Sequence, residues 1–323
     1  MLVSNLAFLG ALFYLHALLN ETSSEEVSRR AIWLIALFPT AFFTVAPYTE
    51  SLFLLCAVGG IYHAQRGQAP AAGLYLAGAA MTHSTALILV IPLVVLLRNH
   101  AMKGVPAPRR KLASEFTQRA WFLRALFPAA NKPGAELVAR PARSWRIGAL
   151  PVRHLALLLS PSLLAWLTYA LYLHAQHISL SLLFTAQQGW HRSLAFPWVG
   201  FVASVKWLAA YAPAHVTWAS ENVGELIVTV VFLAFTAWAW PRLDPVAKAY
   251  CAGFWLLVLS VAQWRDSWYA PFGSMDRFIL ALFPLAAWAA WRFEPRALRI
   301  WLVVSAAGMC ALGGIYISGI WVG

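Results

Sequence analysis

The chain has 323 residues, of which 61% are hydrophobic and 11% charged, and its mean hydropathy is +0.66. A soluble domain carries roughly 45–50% apolar and about 25% charged residues, so this composition excludes an ordinary water-soluble fold and calls for an apolar solvent. The net charge of +12 does not point to nucleic acid, because residues 98–153 alone hold twelve Lys/Arg against two acids, the pattern of a cytosolic loop rather than of a basic binding face.

In chain order, apolar runs of membrane length are read at 2–19, 31–47 and 51–64. The next run, 71–97, is too long for one straight crossing and is interrupted at Thr82-His83-Ser84. Two short helices meeting there are predicted, a broken hairpin of the kind tolerated where protein or water lines the break. Pro39, Pro47 and Pro92 sit in or beside these runs, where they free backbone carbonyls. After the basic segment come runs at 155–176, 223–240, 247–264, 278–291 and 299–318. The expected fold is all-α: a polytopic integral membrane protein with a bundle of about ten transmembrane or re-entrant helices. Its parts are an N-terminal membrane region 1–97, a basic cytosolic loop 98–153, and a C-terminal membrane region 154–323 with outer loops 177–222 and 265–276. With both ends outside, 20 Lys/Arg fall on the inner side and four on the outer: Arg192, Lys206, Arg265 and Arg277. That bias satisfies the positive-inside rule. Cys56, Cys251 and Cys310 lie in apolar runs without ligand spacing, and neither metal nor cofactor is expected.

Polar residues are few on the outer face, and they are grouped. Tyr48-Thr49-Glu50-Ser51 forms a helix–helix turn, His83 marks the broken hairpin, Trp190-His191-Arg192 lies in the long loop, and Asp276-Arg277 precedes a helix. The asymmetry points to chemistry or binding on that face.

One stretch is specific: Pro39-Thr40-Ala41-Phe42-Phe43, then Pro47-Tyr48-Thr49-Glu50-Ser51-Leu52-Phe53. It resembles the signature of the PIG-V family of GPI mannosyltransferases and their prokaryotic relatives. Ser4-Asn5-Leu6-Ala7-Phe8-Leu9 is similar to an early helix of the prokaryotic members. Gln188, Trp190, Arg192, Pro197 and Trp198 resemble their Gln/Trp/Arg…Pro-Trp outer loop. Arg277-Phe278 with Phe283-Pro284 resembles their Arg-Phe/Tyr…Phe-Pro helix start. The family has a GT-C-type fold and uses polyprenyl-phosphate sugars. The resemblance therefore implies transfer of a hexose to a lipid- or glycan-linked acceptor, on the extracytoplasmic face of a prokaryotic cell membrane. Two departures stand out. Thr82-His83-Ser84-Thr85-Ala86 replaces a family pattern with Arg at the second position. The family's Trp-Asp loop, whose Asp is taken as the catalytic base, and its Phe-Phe-Pro-Leu-Tyr-Pro stretch do not occur in these 323 residues. The expectation is either a piece of a longer transferase or a chain without its catalytic loop.

Transfer from a lipid phosphate needs a carboxylate to take a hydroxyl proton and donors to hold the departing phosphate. Glu50 is the candidate base or sugar ligand, with Tyr48, Thr49 and Ser51 as hydrogen-bonding neighbours; the alternative is a helix-capping carboxylate. Arg277 would hold phosphate in a fork, or simply pair with Asp276. Arg192 and His83 carry the same two readings, phosphate contact or structural polar group. Trp190 would stack on a sugar ring or anchor at the membrane interface, and Gln188 completes the candidate binding set. Asp266 and Asp276 are spare acids that could also serve as the base, and Asp276 belongs to the candidate binding set beside Arg277. A non-catalytic membrane protein that binds lipid-linked sugar is the second functional reading, and a transporter is the third, against which stands the absence of an internal repeat.

Overall fold

The structure is a computed structural model that describes residues 1–102, 150–263 and 268–318. Most of the basic loop, together with Arg265 and Asp266, lies outside the described residues. Among those described, all the regular elements are helical, as the composition requires: with no water to satisfy backbone groups in lipid, a helix satisfies its own. The helices are α1 (Leu2–Thr22), α2 (Glu25–Ala36), α3 (Glu50–Gln65), α4 (Ala69–Thr82), α5 (Leu87–Ala101), α6 (Val152–Ala175) and α7 (Leu182–Gly189). They continue as α8 (Val199–Tyr211), α9 (Val216–Ala239), α10 (Pro245–Ser260), α11 (Met275–Phe278), α12 (Phe283–Arg292) and α13 (Pro295–Ile317). Four are long and apolar enough to cross a bilayer alone: α1, α6, α9 and α13.

Local chemistry sets the boundaries. Ser24 caps α2, its Oγ accepting from the Val27 N–H at 3.3 Å, with Glu25 and Glu26 in the first turn; both features favour a helix N-terminus. Asp244 caps α10 by accepting from the N–H groups of Val246 and Ala247 at 2.8 and 3.1 Å, ahead of Pro245 in the first turn.

Two runs expected to be continuous are broken. The run 31–47 is helical only to Ala36; a 3-10 turn at Ala41–Thr44 follows, because Pro39 removes a backbone donor and restricts the residue before it. The run 278–291 begins with the short α11 and a 3-10 turn at Ile279–Ala281, and the helix restarts at Phe283 with Pro284 in its first turn.

The interruption at His83 is present. His83 is extended (φ −145°, ψ 135°), and it separates α4 from a 3-10 turn leading into α5. The far ends of the two helices meet, with the His100 ring packed on Gly67, which sits at φ 73°. The pair is therefore a hairpin with His83 at its apex.

Buried Tyr62, Tyr250, Phe43 and Phe254 fill the centre of the bundle. α6 and α13 expose much of their apolar surface, including Leu163, Leu164, Leu167, Val303 and Val304, as helices facing lipid do. At the opposite end from the His83 apex, Arg66 pairs with Glu21 and covers the Tyr62 ring at 4.0 Å. Beside them the Tyr75 hydroxyl donates to Tyr14 at 2.7 Å, and the Tyr14 hydroxyl meets His63 Nε2 at 3.1 Å.

α4 and α6 touch closely at Gly73. Pro161, inside α6, has no N–H to give the Leu157 carbonyl four residues back. Gly73 lies against that carbonyl and against Pro161, an approach only small residues allow. Gly73→Val should therefore push α6 away and cost about 1–3 kcal/mol; a thermal-unfolding midpoint in detergent equal to that of the wild type would refute this packing role.

Candidate active site

The breaks described above bring the polar residues together. The chain between α2 and α3 turns back on itself, burying Phe43 and Thr44, and the Ser51 hydroxyl donates to the Thr44 carbonyl. Thr49 precedes α3 but its side chain makes no capping bond, so the turn is held by Ser51 rather than by a cap. Thr40 ties this stretch to the other half of the chain, its hydroxyl donating to the Asp276 carbonyl at 2.7 Å.

Across that tie, Arg277 faces Glu50, with Nη1 to Oε1 at 3.7 Å and side chains only 12% and 9% exposed. The guanidinium is 5.2 Å from the Phe43 ring centre and 5.0 Å from that of Tyr48, and Nη2 donates to Ser274 Oγ at 2.8 Å. Cation–π contact of this kind gains strength as water is excluded. Tyr48 is itself anchored by its hydroxyl, 3.2 Å from that of Tyr316 on α13. Glu50 Oε2 is buried without a hydrogen-bond partner among the described residues. Burial pushes the Glu50 carboxyl above its ordinary value, while the Arg277 charge pulls it down.

Glu50, Arg277, His83, Thr85, Thr44 and Phe53 line one narrow cleft. His83 packs between the rings of Phe53 and Phe278, at 5.4 and 5.6 Å. Burial, together with the charges of Arg192 and Arg277, pushes its ring down to about 4. At neutral pH it is thus an uncharged imidazole and not a cation. Arg192 reaches the same region over Phe278, 5.7 Å from the ring centre. His191, at φ 56°, turns the chain just before it, and Arg192 makes an isolated bridge with Gln263. Burial and the Arg277 charge both lower the proton affinity of Arg192, so two guanidiniums repel each other beside one cleft. An anion there would relieve that repulsion.

Not every candidate joins the cluster. Gln188 and Trp190 are exposed, Trp190 to 65%, and neither lines the cleft. Thr49 is also exposed. Asp276 does not pair with Arg277 through its side chain. Instead its backbone N–H donates to Glu225 Oε2 at 3.3 Å, and burial pushes its own carboxyl up to about 6 against the pull of Arg277. Ser274 is left-handed at φ 72°, which costs a non-glycine residue about 1–2 kcal/mol.

The sequence reading missed Glu225. It lies within the apolar run 223–240 and is 5% exposed. An acid inside such a run is a functional candidate by default, and that signal was available.

Beside the cleft lies an apolar cavity of about 440 Å³, lined by Phe38, Phe232, Phe235, Trp238, Phe283 and Leu280, the last of which also lines the cleft.

The similarity to known proteins falls in the N-terminal third of the chain. Residues 1–104 match the family described as Mannosyltransferase (PIG-V), a stretch that includes Tyr48, Glu50 and His83 but not Arg192 or Arg277. GPI mannosyltransferase 2 of Yarrowia lipolytica is 35% identical over 91 residues, which are 28% of this chain and 26% of that protein. The match thus spans about a quarter of the relative's length, and no solved structure gave a significant match. Over its N-terminal third, this chain, helical throughout its described regular elements and with four helices apolar and long enough to cross a membrane, is similar to the PIG-V mannosyltransferase family.

Proposed function

We propose that the protein is a membrane mannosyltransferase that takes its sugar from a polyprenyl-phosphate donor and passes it to a lipid- or glycan-linked acceptor on the extracytoplasmic face. The observation that carries this reading is the Glu50–Arg277 pair at 3.7 Å, placed in a cleft with Arg192 nearby and the apolar cavity next to it. A lipid-linked sugar phosphate has those three chemistries: a hydroxylated ring, an anion and a long apolar tail. In this reading Arg277 and Arg192 hold the phosphate and offset the charge it gains as the glycosidic bond breaks. The neutral imidazole of His83 supplies a hydrogen bond rather than a charge. The tail occupies the cavity that Leu280 shares with the cleft. Glu50 orients the sugar or takes the acceptor's proton, for which a raised carboxyl pKa is suited. Gln188 and Trp190, exposed on the outer loop, belong in this reading to a more distant part of the acceptor, where an indole face can stack on a saccharide. No metal or cofactor enters the scheme.

The experiment is to incubate purified protein in lipid nanodiscs with a polyprenyl-phosphate mannose and candidate acceptors. Consumption of donor with formation of a mannosylated product supports the proposal. Donor binding without consumption would instead favour the second reading, a protein that holds lipid-linked sugar without transferring it.

If transfer is observed, Glu50→Gln should lower its rate by roughly 10²-fold or more, and the protein should still fold but with a lowered unfolding temperature, because the buried Arg277 loses its counter-charge. The pH dependence has a definite sign. A carboxylate that must be ionised loses function as pH falls through its pKa, and a raised pKa puts that acid limb above the usual value of about 4.3. Glu50→Gln should erase the limb; if the limb persists, it belongs to another group. Arg277→Ala should raise the donor concentration needed for half-maximal rate by about tenfold or more. A variant that loses only thermal stability, with donor saturation unchanged, would make Arg277 structural.

A further inference from the structure

The segment that presents Arg277 is not a regular helix that could hold its own shape. α11 has four residues, it follows the left-handed Ser274, and a 3-10 turn succeeds it. Its shape is imposed from outside, chiefly by α9. Three side chains on that helix, Asn222, Glu225 and Thr229, are 1%, 5% and 0% exposed and fall on one face at the i, i+3 and i+7 positions. Asn222 Nδ2 donates to the Tyr269 carbonyl. Glu225 Oε1 accepts from the Ser274 N–H at 3.0 Å and Oε2 from the Asp276 N–H at 3.3 Å. Thr229 completes the stripe by donating to the Glu225 carbonyl at 2.7 Å, which fixes one rotamer of its own and leaves the Glu225 side chain for the turn.

One carboxylate therefore holds the two backbone amides that flank Met275, immediately before Arg277. From the other side Thr40 donates to the Asp276 carbonyl, so both backbone polar groups of Asp276 are held by side chains from other parts of the chain. Ser274, strained in the left-handed region, spends its N–H on Glu225 and receives the Arg277 guanidinium on its hydroxyl. The chain of contacts runs from Glu225 through Ser274 to Arg277 and ends at Glu50. Glu225 itself does not line the cleft.

We propose that Glu225 is a positioning residue for Arg277, clamping the 273–277 turn so that the guanidinium is presented to the cleft, and that it thereby sets the affinity for a lipid-linked phosphate without touching it. The inference rests on the reading of Arg277 as the phosphate-binding group, and the test separates the two. Glu225→Gln keeps the shape of the side chain and one acceptor oxygen but removes the second acceptor. Binding of a polyprenyl monophosphate in nanodiscs is measured for the wild type, Glu225→Gln, Arg277→Ala and the double variant. Amide hydrogen exchange is followed in parallel over residues 269–279.

The expected result is binding about tenfold weaker in Glu225→Gln, with no further loss when Arg277→Ala is already present, because a positioning residue has nothing left to position. Exchange at Ser274 and Asp276 should quicken while the rest of the bundle keeps its protection. A loss in the double variant equal to the product of the single losses would overturn the proposal, as would unchanged exchange at those two amides. Should the wild type fail to bind the polyprenyl phosphate, the donor reading falls, and the exchange measurement still decides whether Glu225 clamps the turn. If Glu225→Gln does not fold, Glu225→Asp, which keeps both acceptor oxygens on a side chain one carbon shorter and so withdraws them from the two amides, takes its place under the same criteria.

Discussion

The candidate site depends on keeping one guanidinium almost out of water. An isolated cation in such a place is costly, and the cost falls only if the surroundings return most of what hydration supplied. Among the described residues, Arg277 gets this from the Glu50 carboxylate, the Ser274 hydroxyl, and the faces of Phe43, Tyr48 and Phe278. Glu50 and the rings of Phe43 and Tyr48 come from a turn more than two hundred residues earlier in the chain. The Pro39 break, the 3-10 turn and the Ser51–Thr44 bond that shape this turn are thus part of what makes a buried Arg277 tolerable. In this sense the irregular backbone is as much a component of the site as the charged groups are.

Much of this could be read in the sequence, and the limits follow from what each signal measures. Apolar content reports the solvent, so the all-helical membrane fold was legible before any motif. The polar interruption at His83 stood out in an apolar run, and the structure has its hairpin apex there. Hydropathy does not report whether an apolar run is one helix. The runs 31–47 and 278–291 look continuous on that measure, and proline chemistry divides both. The polar cluster was legible in part: Tyr48, Glu50, His83, Arg192 and Arg277 come together, while Gln188, near the end of α7, and Trp190 just after it stay apart. Glu225 was hidden for a different reason. A single acid inside a long hydrophobic run barely changes its average, and its two partners are backbone amides, which carry no residue-type signal at all.

The distribution of exposed apolar surface separates two kinds of helix. α3 is mostly enclosed by other protein, and small residues such as Gly59 and Gly60 allow the close approach of its neighbours. α6 and α13 turn most of their surface outward. The first kind contributes the site and the second kind contributes the boundary with lipid. Gly73 and Pro161 join the two, since the proline that leaves a carbonyl unpaired and the glycine that approaches it lie on helices of opposite kinds. In a bilayer, where no hydrophobic force drives helices together, such small-residue contacts and polar bonds carry the association.

The hydroxyl contact between Tyr48 and Tyr316 joins residues 268 positions apart. A membrane chain is inserted as it is made, from the N-terminus onward. The turn that carries Glu50 therefore enters the bilayer long before the ring of Tyr316, or the guanidinium of Arg277, has been synthesised. Until then the acid is held among helices without its cation, and the aromatic walls lack their outer brace. The cleft is consequently among the last features of the bundle to assemble, and a nascent chain released early would carry the most family-specific stretch of the protein without a finished site around it.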